Sequence, residues 1–187
     1  MRVIAGKFRS RRLKGPKTSS VRATGDRLRV TLFDILGPAV EESLFVDLYA
    51  GTGAIGIEAV SRGAREVIFV ESHEKTADLI RENLAALKIS TGTEVIEDKV
   101  LRGLQRIATR HLMADFIFLD PPYDAVEEHA TTLEFLDASH LIAPAGIVIV
   151  EHRRKMALPD RFERLERTRI VEQGDKALSF YRLAAAA

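Results

Sequence analysis

The 187-residue chain contains neither cysteine nor tryptophan, and aromatic residues make up only 6% of it. Without cysteine it forms no disulfide and offers no thiolate for zinc, for an iron–sulfur cluster or for nucleophilic catalysis. No run of about 18 apolar residues is present, so the sequence predicts no membrane-spanning helix. The first residues also lack the apolar block of a signal peptide, and we therefore expect a cytoplasmic protein. The five histidines show no metal-ligand spacing, which predicts that the protein binds no metal.

The charged residues are unevenly distributed along the chain. The totals of 28 basic and 27 acidic residues give a net charge of +1, but residues 1–30 alone carry +9 and the remainder −8. A segment this cationic is typical of a contact with a nucleic-acid backbone, although a solvated chain terminus would show the same composition. The candidate nucleic-acid-binding residues are Lys7, Arg9, Arg11, Arg12, Lys14, Arg22, Thr24 and Arg27. The last three lie near the start of the first predicted helix and could instead cap it.

The first 40 residues combine this charge with a few apolar side chains. Residues 3–5 can pair with Leu13 as a small β-hairpin that turns near Gly6, which predicts an ordered basic arm. Apolar residues at helical spacing predict a helix over residues 26–36. We place a boundary near residue 40, with the arm and leading helix in residues 1–40 and the main domain in residues 41–187.

Apolar strands alternate with helices through the rest of the chain. Strands are predicted over residues 44–48, 67–70, 94–96, 116–119 and 147–150. Helices are predicted between them over residues 54–62, 74–87, 101–108 and 126–136. Residues 161–170 and 177–183 predict two further strands that close as a hairpin around Gly174-Asp175. This order predicts an α/β fold with a mostly parallel seven-stranded sheet and helices on both faces.

The first predicted strand runs into a glycine-rich loop from Asp47 to Gly56. The loop has the pattern G-x-G-x-x-G starting at Gly51 and Gly53, and Glu71 follows at the end of the second strand, as in a dinucleotide fingerprint. The Asp47 carboxylate would repel a pyrophosphate, whereas it suits the ammonium and sulfonium groups of S-adenosylmethionine (SAM). Glu71 can accept hydrogen bonds from both ribose hydroxyls. The pattern therefore favours SAM over a nicotinamide cofactor or a tight turn that needs glycine only for its backbone angles.

Further candidates follow other strands, because ligands of such sheets bind beyond the carboxyl ends of the strands. Asp98 follows the third strand and can accept a hydrogen bond from the adenine amino group or serve as a helix N-cap. Tyr49 in the glycine-rich loop can supply stacking area, although aromatic residues are more often packed in a core. Glu151 ends the fifth strand and is a weaker candidate for the same cleft.

The fourth predicted strand is followed by Asp120-Pro121-Pro122-Tyr123. The prolines remove backbone donors and leave the Asp120 carboxylate and the Pro121 carbonyl as acceptors. An exocyclic amino group on an aromatic ring is a poor nucleophile with two hydrogens to donate, so these acceptors can orient its lone pair. Tyr123 can stack on the base. The motif predicts methyl transfer to an amino nitrogen, with a rigid loop as the alternative.

The D-P-P-Y motif resembles that of Rossmann-like, SAM-dependent amino-group methyltransferases, and the whole chain is similar to the RsmD family. Matching stretches lie at residues 2–6, 22–24, 26–29, 47–56, 61–64, 116–123 and 177–182. The resemblance implies methylation of guanine N2 in 16S ribosomal RNA, presented in the small subunit or its assembly intermediate. It places the cofactor on Asp47, Gly51, Gly53, Glu71 and Asp98, the catalytic loop on residues 120–123 and the RNA contact on the basic arm. Ala23, Gln173 and Lys176 depart from the family's usual proline, aromatic residue and threonine.

The residues alone leave other functions open. A DNA adenine-N6 methyltransferase would use the same acceptor loop, but it usually carries a separate target-recognition domain, for which this chain has no room. A protein glutamine methyltransferase more often has asparagine in place of Asp120. A non-catalytic RNA-binding module for ribosome assembly would not need an intact Asp47 or Asp120.

Overall fold

The computed structural model describes residues 1–15, 24–122 and 126–185, in which seven strands form one sheet. The strands are β1 (Leu44–Leu48), β2 (Glu66–Glu71), β3 (Thr93–Glu97), β4 (Ala114–Leu119), β5 (Ile142–Arg153), β6 (Leu165–Gln173) and β7 (Lys176–Leu183). The α-helices are α1 (Thr24–Leu36), α2 (Ala54–Ser61), α3 (Glu74–Ala86), α4 (Val100–Ala108) and α5 (Val126–Ala138), and a 3-10 turn spans Gly37–Val40. The strand order is β3-β2-β1-β4-β5-β7-β6, and β7 runs antiparallel to the other six strands. The predicted mostly parallel α/β sheet is confirmed.

Two apolar layers cover the faces of the sheet. Successive strand residues point to opposite faces, so Phe45 and Phe118 lie in one layer while Val46 and Leu119 lie in the other. Helices α1, α2 and α3 close the first layer, and α4 and α5 close the second. The parallel strands β1, β2 and β4 are therefore buried on both sides, which explains their nearly continuous apolar sequences.

The strand order places an opening next to β1. This strand pairs with β2 on one side and with β4 on the other. After β1 the chain forms β2 and β3 on one side of this strand, and it then crosses over to form β4 on the other side. Loops that follow two such strands diverge at the carboxyl ends and leave a crevice there. The glycine-rich loop after β1 and the Asp120 loop after β4 therefore flank the same crevice.

The basic arm, residues 1–15, turns back on itself as predicted, but in a different register from the one that the sequence predicts. An antiparallel bridge joins Arg2 to Arg12, and the Val3 amide donates to the Arg11 carbonyl over 3.0 Å. The Leu13 amide donates to the Met1 carbonyl over 3.1 Å, so the expected pairing of Leu13 with residues 3–5 is wrong: the returning segment pairs with residues 1–3. The next two amides donate to a side chain of α2 instead of to the returning segment.

Side chains of α2 hold the basic arm against the body. Glu58 is fully buried, and its carboxylate accepts hydrogen bonds from the amides of Ile4 and Ala5 over 2.7 and 3.0 Å. Arg62 Nε donates to the same carboxylate over 2.9 Å and balances its charge. Ser61 Oγ donates to the Ala5 carbonyl over 2.5 Å. The arm is therefore an ordered part of the fold, while most of its cationic side chains are exposed.

Gly6 lies where the basic arm touches α2. Its φ is +77°, and an added Cβ would lie 1.8 Å from the Ser61 carbonyl oxygen. Gly6→Ala is therefore expected to lower the free energy of unfolding by about 1–3 kcal/mol and to displace the arm. Urea denaturation measures this, with Gly15→Ala as the control because an added methyl group there meets nothing within 4 Å. Equal unfolding free energies for Gly6→Ala and the wild type would show that the arm is not packed in this way.

Candidate active site

Carboxylates from three strands lie on one face of the sheet at its carboxyl edge. Asp47 on β1 pairs in register with Phe69 on β2 and Phe118 on β4. Glu71 and Asp120 follow these two partners by two residues, and side chains two residues apart point to the same face. Acidic groups from β1, β2 and the loop after β4 therefore gather at the crevice.

A cavity of about 350 Å³ opens between the loops that follow β1, β2 and β4. Its lining residues are Tyr49, Gly51, Glu71, Ser72, His73, Thr76, Asp120, Pro121 and Pro122. Residues of the predicted cofactor loop and of the predicted catalytic loop thus share one cavity. Tyr123, the fourth residue predicted for the catalytic loop, lies outside the described residues.

The glycine-rich loop makes a tight turn into α2. Gly53 has a φ of +75°, which favours glycine, and forms the N-cap of α2. Its amide donates to the Ala50 carbonyl over 2.8 Å and closes the turn. Tyr49 Oη shares a hydrogen bond with Thr132 Oγ1 on α5 over 3.0 Å. Gly53 therefore shapes the loop, whereas Tyr49 and Gly51 line the cavity.

Asp47 lies beneath this loop and is almost fully buried. Its Oδ2 accepts a hydrogen bond from the Gly56 amide over 2.9 Å, near the start of α2. Burial raises the pKa of Asp47 well above its ordinary value; the Gly56 bond opposes this, and the nearby Asp120 and Glu71 add to it. A cationic ligand at this edge would favour the ionised form. Asp47 is not among the described residues that line the cavity, so its direct contact with a cofactor stays a prediction.

Glu71 is held in place by backbone donors. Its Oε2 accepts a hydrogen bond from the Gly51 amide and its Oε1 accepts one from the His73 amide, each over 2.9 Å. The carboxylate therefore ties the glycine-rich loop to the loop after β2 while it lines the cavity. An acceptor fixed in this way can bind hydroxyl groups with little loss of side-chain entropy.

Asp98 follows β3 beside this region. Its amide donates to the Glu71 carbonyl over 3.1 Å, and its Oδ1 accepts from the Lys99 amide over 2.8 Å. Helix α4 begins at Val100 with Lys99 at its N-cap and no side-chain cap, so the alternative interpretation of Asp98 as the N-cap is wrong. Its contact with an adenine amino group stays a prediction.

Asp120 is partly buried in the wall of the cavity. Burial raises its pKa to about 8; the carboxylate of Glu151 adds to this shift, and the ammonium of Lys176 opposes it. Neither Pro121 nor Pro122 has a backbone N–H, so the loop after Asp120 offers acceptors rather than donors at these positions. The site therefore holds a carboxylate of unusually high proton affinity next to a stretch of backbone without donors.

The raised pKa of Asp120 makes the stability of the unliganded protein depend on pH. The folded protein keeps a proton on Asp120 up to about pH 8, whereas the unfolded chain loses it near pH 4. Stability is therefore expected to fall as the pH rises from about 4 to about 8, because folding then requires proton uptake. Asp120→Asn should remove this part of the pH dependence and raise Tm near pH 8 by roughly 10 °C. Thermal unfolding across this range measures the effect, and an unchanged pH dependence in the variant would rule out the raised pKa.

Three cavity residues were not singled out from the sequence. Ser72, His73 and Thr76 follow Glu71 directly, so the signal that identified Glu71, the carboxyl end of a strand, would also have found them. No sequence pattern indicates a role for Lys176 in this region, because it lies at the start of β7. Its Nζ donates a hydrogen bond to the carboxylate of Glu151, which is 25 residues earlier in the sequence.

The basic arm presents cations beside the glycine-rich loop. Of the residues predicted to bind nucleic acid, Lys7, Arg9, Arg11, Arg12 and Lys14 are exposed on the arm and Arg27 is exposed on α1. Arg22 lies outside the described residues, as does the side chain of Thr24. Asn83 Nδ2 donates to the carbonyls of Lys14 and Thr52, each over 3.1 Å. One buried side chain thus connects the cationic arm to the glycine-rich loop.

The cavity lining offers carboxylates, hydroxyl groups, an imidazole and backbone groups. Within residues 1–15, 24–122 and 126–185, no group of three or more His, Asp or Glu side chains could hold a metal ion. None of the helices in the described part of the chain is long and apolar enough to cross a bilayer.

The sequence matches a known protein family over nearly its whole length. The family model "Conserved hypothetical protein 95" matches residues 1–182. YlbH of Bacillus subtilis is 33% identical over 182 residues, which cover 97% of this chain and 98% of YlbH. Ribosomal RNA small subunit methyltransferase D of Haemophilus influenzae is 35% identical over 84% of this chain and 81% of that protein.

Solved structures share the fold. YhhF of Escherichia coli gives a TM-score of 0.84 at 26% identity, over 100% of this chain and 99% of YhhF. SMU.776, whose structure contains S-adenosylhomocysteine (SAH), gives a TM-score of 0.70 at 14% identity over 87% of this chain and 50% of SMU.776, a likeness of fold alone. The architecture is that of the Rossmann-like class I methyltransferases. Since the family model covers residues 1–182 and relatives named ribosomal RNA small subunit methyltransferase D are 32% to 35% identical, this chain belongs to the RsmD family of SAM-dependent rRNA methyltransferases.

Proposed function

We propose that this protein transfers a methyl group from SAM to the exocyclic N2 amino group of a guanine in 16S ribosomal RNA. The observation that carries the proposal is the cavity shared by Gly51 and Glu71 on one side and by Asp120 and Pro121 on the other. The first side suits a cationic nucleoside, and the second suits an amino group that donates hydrogen bonds. Residues 1–40 would serve RNA binding, and residues 41–187 would carry methyl transfer.

The β1 and β2 side of the cavity fits SAM. Asp47, Glu71 and Asp120 bring carboxyl groups to this edge, and the ammonium and sulfonium groups of SAM would favour their ionised forms. Glu71, fixed by two backbone amides, would accept hydrogen bonds from the ribose hydroxyls. The other residues proposed for the cofactor are Tyr49, Gly51, Gly53 and Asp98. A nicotinamide cofactor would instead bring a doubly charged pyrophosphate to these carboxylates, which disfavours it.

Asp120 and Pro121 would act on the amino nitrogen of guanine. The carboxylate and the Pro121 carbonyl would each accept one N–H bond, which directs the nitrogen lone pair toward the methyl donor. SAM supplies the methyl group: the nitrogen lone pair forms the new N–C bond, and the electron pair of the broken C–S bond stays on sulfur as a neutral thioether. Asp120 would stabilise the positive charge that develops on nitrogen and accept the proton that leaves it. Tyr123 would stack on the base.

The basic arm would hold the RNA backbone near the cavity. Its exposed lysines and arginines would neutralise phosphates, and Glu58 and Asn83 would keep the arm fixed beside the glycine-rich loop. Arg22, Thr24 and Arg27 are also proposed to bind the RNA. We propose a cytoplasmic partner, the 16S rRNA within a small subunit or its assembly intermediate. A guanine inside a helix would first have to unstack, at a cost of about a few kcal/mol.

Labelled methyl transfer to defined substrates tests the proposed function. The protein is incubated with tritiated SAM and small ribosomal subunits from a strain without the corresponding gene, and the labelled nucleoside is identified by mass spectrometry after digestion. We expect N2-methylguanosine in 16S rRNA. Label only in adenine of added DNA, label only in protein glutamine, or SAM binding without transfer would each contradict the proposal and favour, respectively, a DNA methyltransferase, a protein methyltransferase or a non-catalytic module.

A further inference from the structure

An ion pair between Glu151 and Lys176 lies next to the Asp120 loop. Val150 pairs with Leu119, so the residues that follow them are neighbours: Glu151 lies within β5, and Asp120 directly follows β4. Glu151 pairs in register with Leu178, two residues beyond Lys176 on β7. Lys176 therefore shares the sheet face of Glu151, and its Nζ donates to Glu151 Oε1.

The ion pair is largely removed from solvent. The side chains of Glu151 and Lys176 are 9% and 22% exposed. A carboxylate this buried is strongly destabilising without a partner, and a buried ion pair often stabilises a fold no more than apolar residues of similar volume would. A role in packing alone therefore does not explain why charged residues occupy this position beside Asp120.

The charges that act on Asp120 come from three strands. Asp47 on β1 and Glu151 on β5 are carboxylates, and Lys176 on β7 supplies an ammonium group. Glu71 on β2 lies next to Asp47 and lines the same cavity. On the helix side, His129 of α5 lies with its Nε2 3.3 Å from the carbonyl oxygen of Glu151. The carboxylates favour a protonated Asp120, whereas the ammonium favours the ionised form.

We propose that Lys176 is a positioning residue for methyl transfer, which neutralises Glu151 and so increases the fraction of Asp120 that is ionised and able to accept hydrogen bonds from the guanine amino group. The inference rests on the proposed function and deepens it. A protonated Asp120 would have one fewer acceptor site and could not take the proton released by the nitrogen. Lys176 would thus act through Glu151 and Asp120 without touching either substrate.

The pH dependence of kcat/KM distinguishes this charge effect from a structural role. Lys176→Met leaves the Glu151 charge uncompensated, and we expect the acidic limb of the profile to move upward by about one pH unit. Activity near pH 7 should then fall by up to about tenfold and recover at higher pH. Lys176→Arg, which keeps the charge, should restore the wild-type limb. Lys88→Met, which removes an exposed lysine after α3, should leave the profile unchanged.

A double variant separates charge from packing. In Glu151→Gln/Lys176→Met the uncompensated carboxylate is gone, so the acidic limb should return to the wild-type position or below it. A limb that stays raised in the double variant, or one that does not move in Lys176→Met, would overturn the proposal. The double variant also provides a test if Lys176→Met alone fails to fold.

Carbon-13 NMR titration of the Asp120 carboxyl gives a readout without turnover. The resonance is assigned by its loss in Asp120→Asn, and its titration midpoint should rise in Lys176→Met relative to the wild type. An equal midpoint in both proteins would overturn the role of Lys176 even if the wild type methylates guanine. Absence of methyl transfer by the wild type at every pH would instead refute the proposed function.

Discussion

Asp120→Ala is expected to lower kcat for methyl transfer by about 100- to 1000-fold while the Kd for SAM changes by less than about threefold. Asp120 lies on the side of the cavity that we assign to the amino group, whereas the cofactor side is held by Gly51, Glu71 and the turn at Gly53. Loss of the carboxylate would remove an interaction that strengthens as charge develops on nitrogen, and such losses appear in kcat. Single-turnover methyl transfer and calorimetry with SAM measure the two quantities.

Two further variants sharpen this test. Asp120→Asn keeps the size of the side chain and one acceptor oxygen, so it should retain more activity than Asp120→Ala. Asp34→Ala, at an exposed carboxylate on α1, should change neither quantity. Equal losses of SAM affinity and of kcat in Asp120→Ala would mean that Asp120 supports the structure of the cavity and does not act on the amino group.

Replacing Arg9, Arg11 and Arg12 with glutamine is expected to weaken RNA binding by about 10- to 1000-fold at physiological salt while SAM binding is retained. The arm is ordered mainly by bonds from its backbone to α2 and α3, and the three arginines are exposed to solvent, where they can neutralise phosphates. Of the three, Arg11 also donates a hydrogen bond to the Ala86 carbonyl over 3.4 Å. Each lost phosphate contact should reduce the slope of log K against log salt by up to about one. Filter binding of a 16S rRNA fragment over a salt series measures both the affinity and the slope.

A matched set of cations elsewhere controls for net charge. Arg102 and Arg106 are exposed on α4, which covers the opposite face of the sheet, and Arg161 is exposed before β6. Replacing these three with glutamine lowers the net charge equally but should leave the salt slope nearly unchanged. If the salt slope falls as much in the control variant as in the arm variant, the arm is not part of the RNA interface.

Periodicity in the sequence predicts the helices and most strands closely. It predicts a helix over residues 74–87, and α3 spans Glu74–Ala86. It predicts β5 too short: this strand is predicted over residues 147–150 but spans Ile142–Arg153. Pro144 and Gly146 interrupt the apolar pattern there, yet Ala114 still pairs with Ile142 across a shift in register. Pairing with a neighbouring strand therefore extends β5 where its own sequence gives little signal.

Part of the candidate site could be predicted from the sequence in the same way, and part could not. Asp47, Glu71 and Asp120 could be predicted to lie together, because residues at the carboxyl ends of parallel strands meet at one edge of a sheet. Glu58, Asn83 and Lys176 could not be assigned their partners, because each reaches across at least 25 residues of sequence to a backbone or side-chain group. Such contacts depend on how the helices pack and on the register of antiparallel strands, and the spacing of residues in the sequence predicts neither of these.

A crystal structure with SAH and guanosine tests most directly whether donor and acceptor meet between β1 and β4. We expect the ribose of SAH against Glu71, the guanine amino group against Asp120, and the SAH sulfur on the side of that amino group where a methyl group would bridge the two. Nucleosides bound in separate cavities, or SAH bound away from Glu71 with its sulfur turned from Asp120, would contradict the shared site.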